Sequence, residues 1–244
     1  MIEVRELAKS FGDVRAVDGV SFRAEDGRIT GLLGPNGAGK STTLRILCSV
    51  IRPDRGSVLI DGCDVVARPL EARRRLGVLP DSSGLYPRLT ARENIRYYGE
   101  LHGLRGEALD AEVTSLVHLL EIEEFADRRA KGFSHGERTK VALARALIHT
   151  PHNVLLDEPT SGLDVMATRA LRELIRRLRD EGRCVLFSSH VMQEVAALCD
   201  EIVIIAHGRV VASGSPDHLR AQMGTANLED AFVRAIGSEQ GLEH

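Results

Sequence analysis

No apolar run in this sequence approaches the roughly 20 residues that a membrane-spanning helix requires; the longest stretches, such as Ile202 to Ala206, fall far short. The chain is not expected to cross a membrane by itself. Positive charge is not in excess, since 32 Lys and Arg face 35 Asp and Glu, a formal net charge of −3. That balance argues against a nucleic-acid binder with a general basic footprint, and the clusters Arg73-Arg74-Arg75 and Arg176-Arg177 read as solvated helix faces. The four cysteines, Cys48, Cys63, Cys184 and Cys199, contain no CxxC pair, and three lie among apolar neighbours. Neither a disulfide framework nor a zinc site is expected from them, and none of the nine histidines falls in an HExxH pattern. The opening MIEVRELAKSF alternates apolar with charged residues where a signal peptide would place a basic segment before an apolar run. The expected location is the cytoplasm. No internal repeat occurs, and Leu242-Glu243-His244 reads as a remnant of an expression tag.

What is present has ordinary globular proportions: 43% hydrophobic and 27% charged residues over 244 positions, enough for one α/β domain carrying an inserted subdomain. Alternation in Ile2-Glu3-Val4-Arg5, in Ala16 to Phe22 and in Ser57 to Gly62 predicts half-buried antiparallel strands. The short apolar runs Ile29-Thr30-Gly31-Leu32-Leu33, Val154-Leu155-Leu156, Cys184 to Phe187 and Ile202 to Ile205 predict central parallel strands covered on both faces. Helices are expected over Lys40 to Val50 and over Leu163 to Asp180, the latter with Met166, Leu171, Leu174, Ile175 and Leu178 on its buried stripe and Gly182 as its stop. From about Leu89 to Thr150 the pattern is helical, opening on the capping box Thr90-Ala91-Arg92-Glu93. It reads as a helical insertion between sheet strands, and short helices follow Gly214-Ser215-Pro216.

The chemistry begins where the strand ending at Leu33 runs into Gly34-Pro35-Asn36-Gly37-Ala38-Gly39-Lys40-Ser41-Thr42, a match to GxxxxGK[ST] with strand before and helix after. Glycines let successive backbone N–H groups turn inward around phosphates, Lys40 reaches the β/γ oxygens, and Ser41 can ligate magnesium. Val154-Leu155-Leu156-Asp157-Glu158 then supplies two carboxylates at a strand end: Asp157 to hold magnesium, Glu158 to polarise the attacking water.

The ordered series GPNGAGKST, FSHGE, LLDEPTSGLD and SSH resembles the ABC ATPase family from residue 1 to about 215. The resemblance implies an α/β P-loop NTPase fold of ABC ATPase type, with an antiparallel β subdomain, a helical subdomain at about 89–150 and a C-terminal helical extension at 216–244. It implies an ATP-binding, ATP-hydrolysing transporter subunit with ATP and Mg2+ as cofactors, pairing with a second copy of itself and with a separate integral-membrane subunit at the inner face of the membrane. Phe11 would stack on adenine, Ser161 to Asp164 would form the D-loop, and His190 would contact the γ-phosphate. Ser134, Gly136 and Asp164 would complete the ATP site of the other copy.

The signature Phe133-Ser134-His135-Gly136-Glu137 departs from the commonest family form, LSGGQ, by carrying His for the first Gly and Glu for Gln. Read on its residues, Ser134-x-x-Glu137 is a capping box opening a helix over Thr139 to His149. Asp81 stands where most relatives carry Gln, as a further magnesium ligand or orienter of water. The stretch Asp81 to Asn94 and the closing Leu228-Glu229-Asp230-Ala231-Phe232 resemble the sodium-extruding, NatA-type branch of the type 2 ABC exporters. Rival readings are a non-transport ABC ATPase clamping a macromolecular assembly, which generally needs two fused cassettes or a long coiled-coil insertion, and a regulatory module that holds ATP without turnover.

Overall fold

Apolar residues facing one another across Ile2–Phe11 (β1), Val14–Ala24 (β2) and Arg55–Ile60 (β4) close an antiparallel sheet in which Val4 lies opposite both Phe22 and Val58. Cys63–Asp64 (β5) completes the order β2-β1-β4-β5. The computed structural model describes residues 1–81 and 84–237. Ser82 and Ser83, and the Leu242-Glu243-His244 segment read above as a tag remnant, lie outside the described residues.

A second sheet holds the continuous apolar runs: Ile29–Leu33 (β3), Leu76–Leu79 (β6), Asn153–Asp157 (β7), Cys184–Ser189 (β8), Glu201–Ala206 (β9) and Arg209–Gly214 (β10), in the order β10-β9-β3-β8-β7-β6. All neighbours are parallel except β10, which returns antiparallel along β9. Both faces are covered, and alternate residues divide between them. Leu32, Leu155, Leu186 and Val203 pack with the antiparallel sheet and with Leu44, Ile46 and Leu47 of Lys40–Leu47 (α1). Leu33, Leu156, Phe187 and Ile204 face the opposite layer, which includes Val165–Asp180 (α6) and Met192–Leu198 (α7).

The expected helical segment holds Ala91–Leu101 (α3), Gly106–Leu119 (α4) and His135–Leu147 (α5). Its opening is the capping box that the sequence spells: Thr90 Oγ1 accepts from Glu93 N at 3.1 Å, and the Glu93 carboxylate accepts from Thr90 N at 2.8 Å. Buried Asn94 holds the approach to it, donating to Tyr86 O and Thr90 O while Tyr86 N donates to its Oδ1. At the far end His102 and His149 stack with centroids 3.7 Å apart. Burial and the neighbouring ring push His149 down to about 4, so the pair packs as neutral aromatics. After β10, Pro216–Met223 (α8) and Leu228–Gly237 (α9) bury Leu219, Leu228, Ala231 and Ala235 in the same core as the parallel sheet.

Several boundaries differ from the sequence expectation for local reasons. α1 stops at Leu47 because Ser49 takes a left-handed φ of 53°, and α6 starts at Val165 because Asp164 Oδ1 caps it by accepting from Ala167 N at 2.8 Å. Met166, expected on the buried stripe, is 72% exposed, one turn before that stripe reaches the core. α5 starts at His135 rather than Thr139, directly after its Ser134 cap. Arg73 and Arg75 are not simply solvated: Arg73 Nε donates to Ser49 Oγ at 2.7 Å, and Arg75 Nη1 to Asp61 O at 2.7 Å. Cys63, Cys184 and Cys199 are buried and Cys48 is half-buried, all four as free thiols. The carboxylates of Asp26 and Asp61, near His152, accept from the α-ammonium of Met1. No described helix is long and apolar enough to cross a membrane.

Strand β6 runs so close to α5 that a Cβ on Gly77 would meet Ala146 O at 2.3 Å and the Pro151 ring at 2.6 Å. Gly77→Ala is therefore expected to lower stability by about 1–3 kcal/mol. Urea unfolding should show a lower midpoint at unchanged slope; an unchanged midpoint would mean that helix and strand are free to separate.

Candidate active site

Parallel strands point their carboxyl ends to one edge of a sheet, and the loops leaving that edge meet. Here β3 delivers the glycine loop, β6 delivers Asp81, β7 delivers Asp157 and Glu158, and β8 delivers His190. Leu33 pairs with Ser189, Asp157 with Ser188, and Leu79 with Leu156, so these strands end at nearly one level. Pro35 to Thr42, Asp81, Asp157, Glu158 and His190 all line one cavity of about 500 Å³, with Ala16, Arg45 and Ser161.

The glycine loop keeps its shape by close backbone approach. A Cβ on Gly34 would lie 2.2 Å from Ile205 O; Gly39 has φ of 106° and would place one 2.4 Å from Ala16 O. Gly39 is also the N-cap of α1, with no side-chain cap and no acidic residue in the first turn. The orphan N–H groups and the positive end of the helix thus face the cavity, an arrangement suited to phosphate. Lys40, 7% exposed, donates from Nζ to Gly34 O at 2.6 Å and to Pro35 O at 3.2 Å. Burial lowers its pKa, against the pull of Glu158 and Asp157 in the other direction.

At the end of β7, Ser188 Oγ donates to Asp157 Oδ1 at 2.6 Å and accepts from Glu158 N at 3.1 Å. One hydroxyl so fixes both carboxylate residues. Burial raises the Asp157 pKa, assisted by the charges of Asp81 and Glu158 and opposed by Ser188 and Lys40. Glu158 has a left-handed φ of 48°, which costs about 1–2 kcal/mol in an L-residue. His190 Nδ1 donates to Glu158 Oε2 at 2.9 Å. Ser41, Asp157 and Asp81 line the same cavity and offer only oxygen donors, one hydroxyl and two carboxylates. That set fits magnesium, a hard ion that takes one or two carboxylates and completes its shell with water and phosphate.

The other expected residues lie elsewhere. Phe11, at the end of β1, is 51% exposed, with the Lys9 ammonium 5.7 Å from its ring centroid. Ser134 opens α5, its Oγ accepting from Glu137 N at 3.2 Å. Gly136 follows two positions later, within the first turn of α5, and Asp164 caps α6. None of the four lines the cavity of the glycine loop. Ser188, Arg45 and Ala16 were missed in the sequence; Ser188 stood inside the quoted SSH, and its signal was a hydroxyl one position from a strand end.

The raised pKa of Asp157 makes its ionised form a cost to the folded state. An acid whose folded pKa lies above its unfolded one opposes folding when ionised; that penalty sets in as pH rises past the unfolded value and is complete above the folded one. Asp157→Asn keeps the acceptor for Ser188 and removes the charge. The nucleotide-free variant should melt about 1–4 °C higher at pH 7, with the gain shrinking toward pH 4, while its stabilisation by ATP with magnesium falls. Thermal melts at both pH values check this, and a lower melting temperature at pH 7 would overturn it.

Comparison with known proteins agrees with this geometry. The family model described as ABC transporter matches residues 17–161. The ABC transporter ATP-binding protein NatA of Bacillus subtilis is 42% identical over 241 residues, 97% of this chain and 98% of that protein. The Nod factor export ATP-binding protein I of Burkholderia lata is 40% identical over 218 residues, 89% of this chain and 72% of that protein. A solved dimer of an ATP-binding cassette in a post-hydrolysis state, bound to ADP and Pi, superimposes with a TM-score of 0.81 at 26% identity, covering 88% of this chain and 98% of that one. With a phosphate-shaped loop facing a held pair of carboxylates, and this likeness along nearly its whole length, the chain belongs to the ABC transporter family as an ATP-binding cassette that hydrolyses ATP.

Proposed function

We propose that this cassette is the ATPase subunit of an exporter, acting as an ATP-dependent homodimer on a separate integral-membrane subunit from the cytoplasmic side. The observation that carries the reading is the meeting of the glycine loop, Asp157, Glu158 and His190 at one cavity. In this reading the amides of Gly37 to Thr42 and the Lys40 ammonium hold the phosphates. Ser41 and Asp157, with Asp81, would hold a magnesium ion, which when bound offsets phosphate charge. Glu158 accepts a proton from water as that water attacks the γ-phosphorus; the bridging oxygen leaves with ADP, and the products are ADP and phosphate. His190, hydrogen-bonded to Glu158, orients that carboxylate and faces the γ-phosphate. Phe11, half exposed at the end of β1, offers a ring face to adenine.

A second copy is invoked because Ser134, Gly136 and Asp164 do not line the cavity of their own glycine loop. Ser134 spends a lone pair on its cap and keeps its O–H to donate to an anion at the helix start. Export is supported by the function named for the Burkholderia lata relative. Sodium as cargo rests on the likeness of Asp81 to Asn94 and of Leu228 to Phe232 to the sodium-extruding branch. Everted vesicles carrying this chain and its membrane subunit should then accumulate sodium when ATP is added. Movement of another solute instead would replace the cargo and leave the ATPase standing.

Glu158→Gln keeps the side chain's size and its contact with His190 but removes the base. Loss of a general base costs roughly 10²–10⁴ in rate, about 3–5 kcal/mol of barrier. Nucleotide binding should persist. Size-exclusion chromatography should show a dimer with ATP that ADP does not support, and adding Ser134→Arg should dissolve it without emptying the glycine loop. Hydrolysis by Glu158→Gln at the wild-type rate would remove Glu158 from this role.

A further inference from the structure

The histidine that replaces a glycine in the signature finds a partner 26 positions further on. His135 Nε2 lies 2.7 Å from the backbone oxygen of Ser161; a carbonyl only accepts, so the ring donates from Nε2. The ring rests against Gly162, where an added Cβ would meet it at 3.3 Å. Both ends of this bond are held independently. On one side, Ser134 and Glu137 lock the start of α5 through their reciprocal hydrogen bonds. On the other, Ser161 N donates to Glu158 O at 3.1 Å and Leu163 N to Thr160 O at 3.2 Å, so the loop is wound directly onto the Asp157–Glu158 turn. His135 also shares a small cavity with Asp81, Asp157 and Glu158 of its own chain.

A series of hydrogen bonds therefore runs from the Glu158 backbone at one ATP site, through Ser161 and His135, to the helix start that carries Ser134 and Gly136. We infer that His135 is a positioning residue that ties the Ser134–Gly136 turn to the Ser161–Asp164 loop within one subunit, so that a shift of the Glu158 turn at one ATP also moves the residues offered to the other. The inference rests on the homodimer reading above. A glycine at this position has no side chain to form the tie, so this hydrogen bond belongs to the histidine form of the signature.

The test compares His135→Gly, His135→Asn and His135→Gln in the full chain. Gln can carry an amide N–H to the place of Nε2; Asn is too short to do so but is well tolerated beside the helix cap, and it separates loss of the tie from loss of helix stability. The wild type should show a Hill coefficient for ATP above 1. The Gly and Asn variants should lose about 3- to 10-fold in kcat, the weight of one ordinary hydrogen bond, with the Hill coefficient falling below the wild-type value. Their fluorescent-nucleotide Kd should stay within about twofold of wild type, since the glycine loop is untouched. Gln should restore both quantities. Wild-type kcat and cooperativity in the Gly and Asn variants, a wild type without cooperativity, or failure of Gln to restore either quantity would overturn the inference. Glu158→Gln with ATP separates the two failures. A monomer removes the dimer reading and the inference with it, whereas a dimer combined with unaffected His135 variants removes the inference alone.

Discussion

The parallel pairing of β3, β8, β7 and β6 is the constraint on which the rest depends. Residues near positions 40, 81, 157 and 190 are remote along the chain, and they meet because four hydrogen-bonded strands end at one level. Burial of alternate residues on both faces sets that level. A slip of one residue in β7 would exchange Leu155 with Val154 and Leu156 between the two layers, which the packed faces resist. The same slip would withdraw Asp157 from Ser188. Core packing and the geometry of the site are thus one requirement.

The cavity so formed is electrically unfinished. Lys40 is buried against loop carbonyls at a lowered pKa, and Asp157 is buried opposite other carboxylates at a raised one. Each pays part of its desolvation without a full partner. In the proposed reading a phosphate chain beside Lys40 and a divalent cation beside Asp157 would offset both, so nucleotide binding relieves a local instability of the fold. The left-handed backbone of Glu158 belongs to the same pattern: strain is kept where the chain must turn sharply out of β7, and Ser188 holds the turn from the neighbouring strand.

Much of this was legible in the sequence because the signals were local. The glycine loop, the carboxylate pair after an apolar run and two capping boxes are each set by neighbours within a few residues, and each spells a backbone geometry. What was not legible depended on distance. β6 has four residues and no alternation, and it is a strand only because β7 offers it an edge and Gly77 lets α5 approach. β10 escaped because Arg209 and Val210 carry little pattern; it is fixed by pairing with β9. Ser188 escaped since a hydroxyl inside an apolar strand says nothing until the adjacent strand is known. Met166 was misread for the opposite reason, because its spacing is right but the helix has not yet reached the core.

His135 shows the limit most clearly. Within its own five-residue motif it is a substitution with no stated use, and its spacing to Ser161 fits no periodicity. The contact exists because α5 starts at His135, after its Ser134 cap, while the chain leaving β7 turns at Glu158 and returns alongside it. Two features that are separately local, a helix cap and a strand-end turn, are brought together by the packing of the helical segment on the sheet. Replacing a glycine by histidine at a helix start gives up little in backbone conformation, since α5 needs no left-handed residue there. It adds a donor that reaches the Ser161 carbonyl, in a loop wound onto the Glu158 turn, which on the proposed homodimer makes this position a place where the signature can vary and change how the two ATP sites respond to each other.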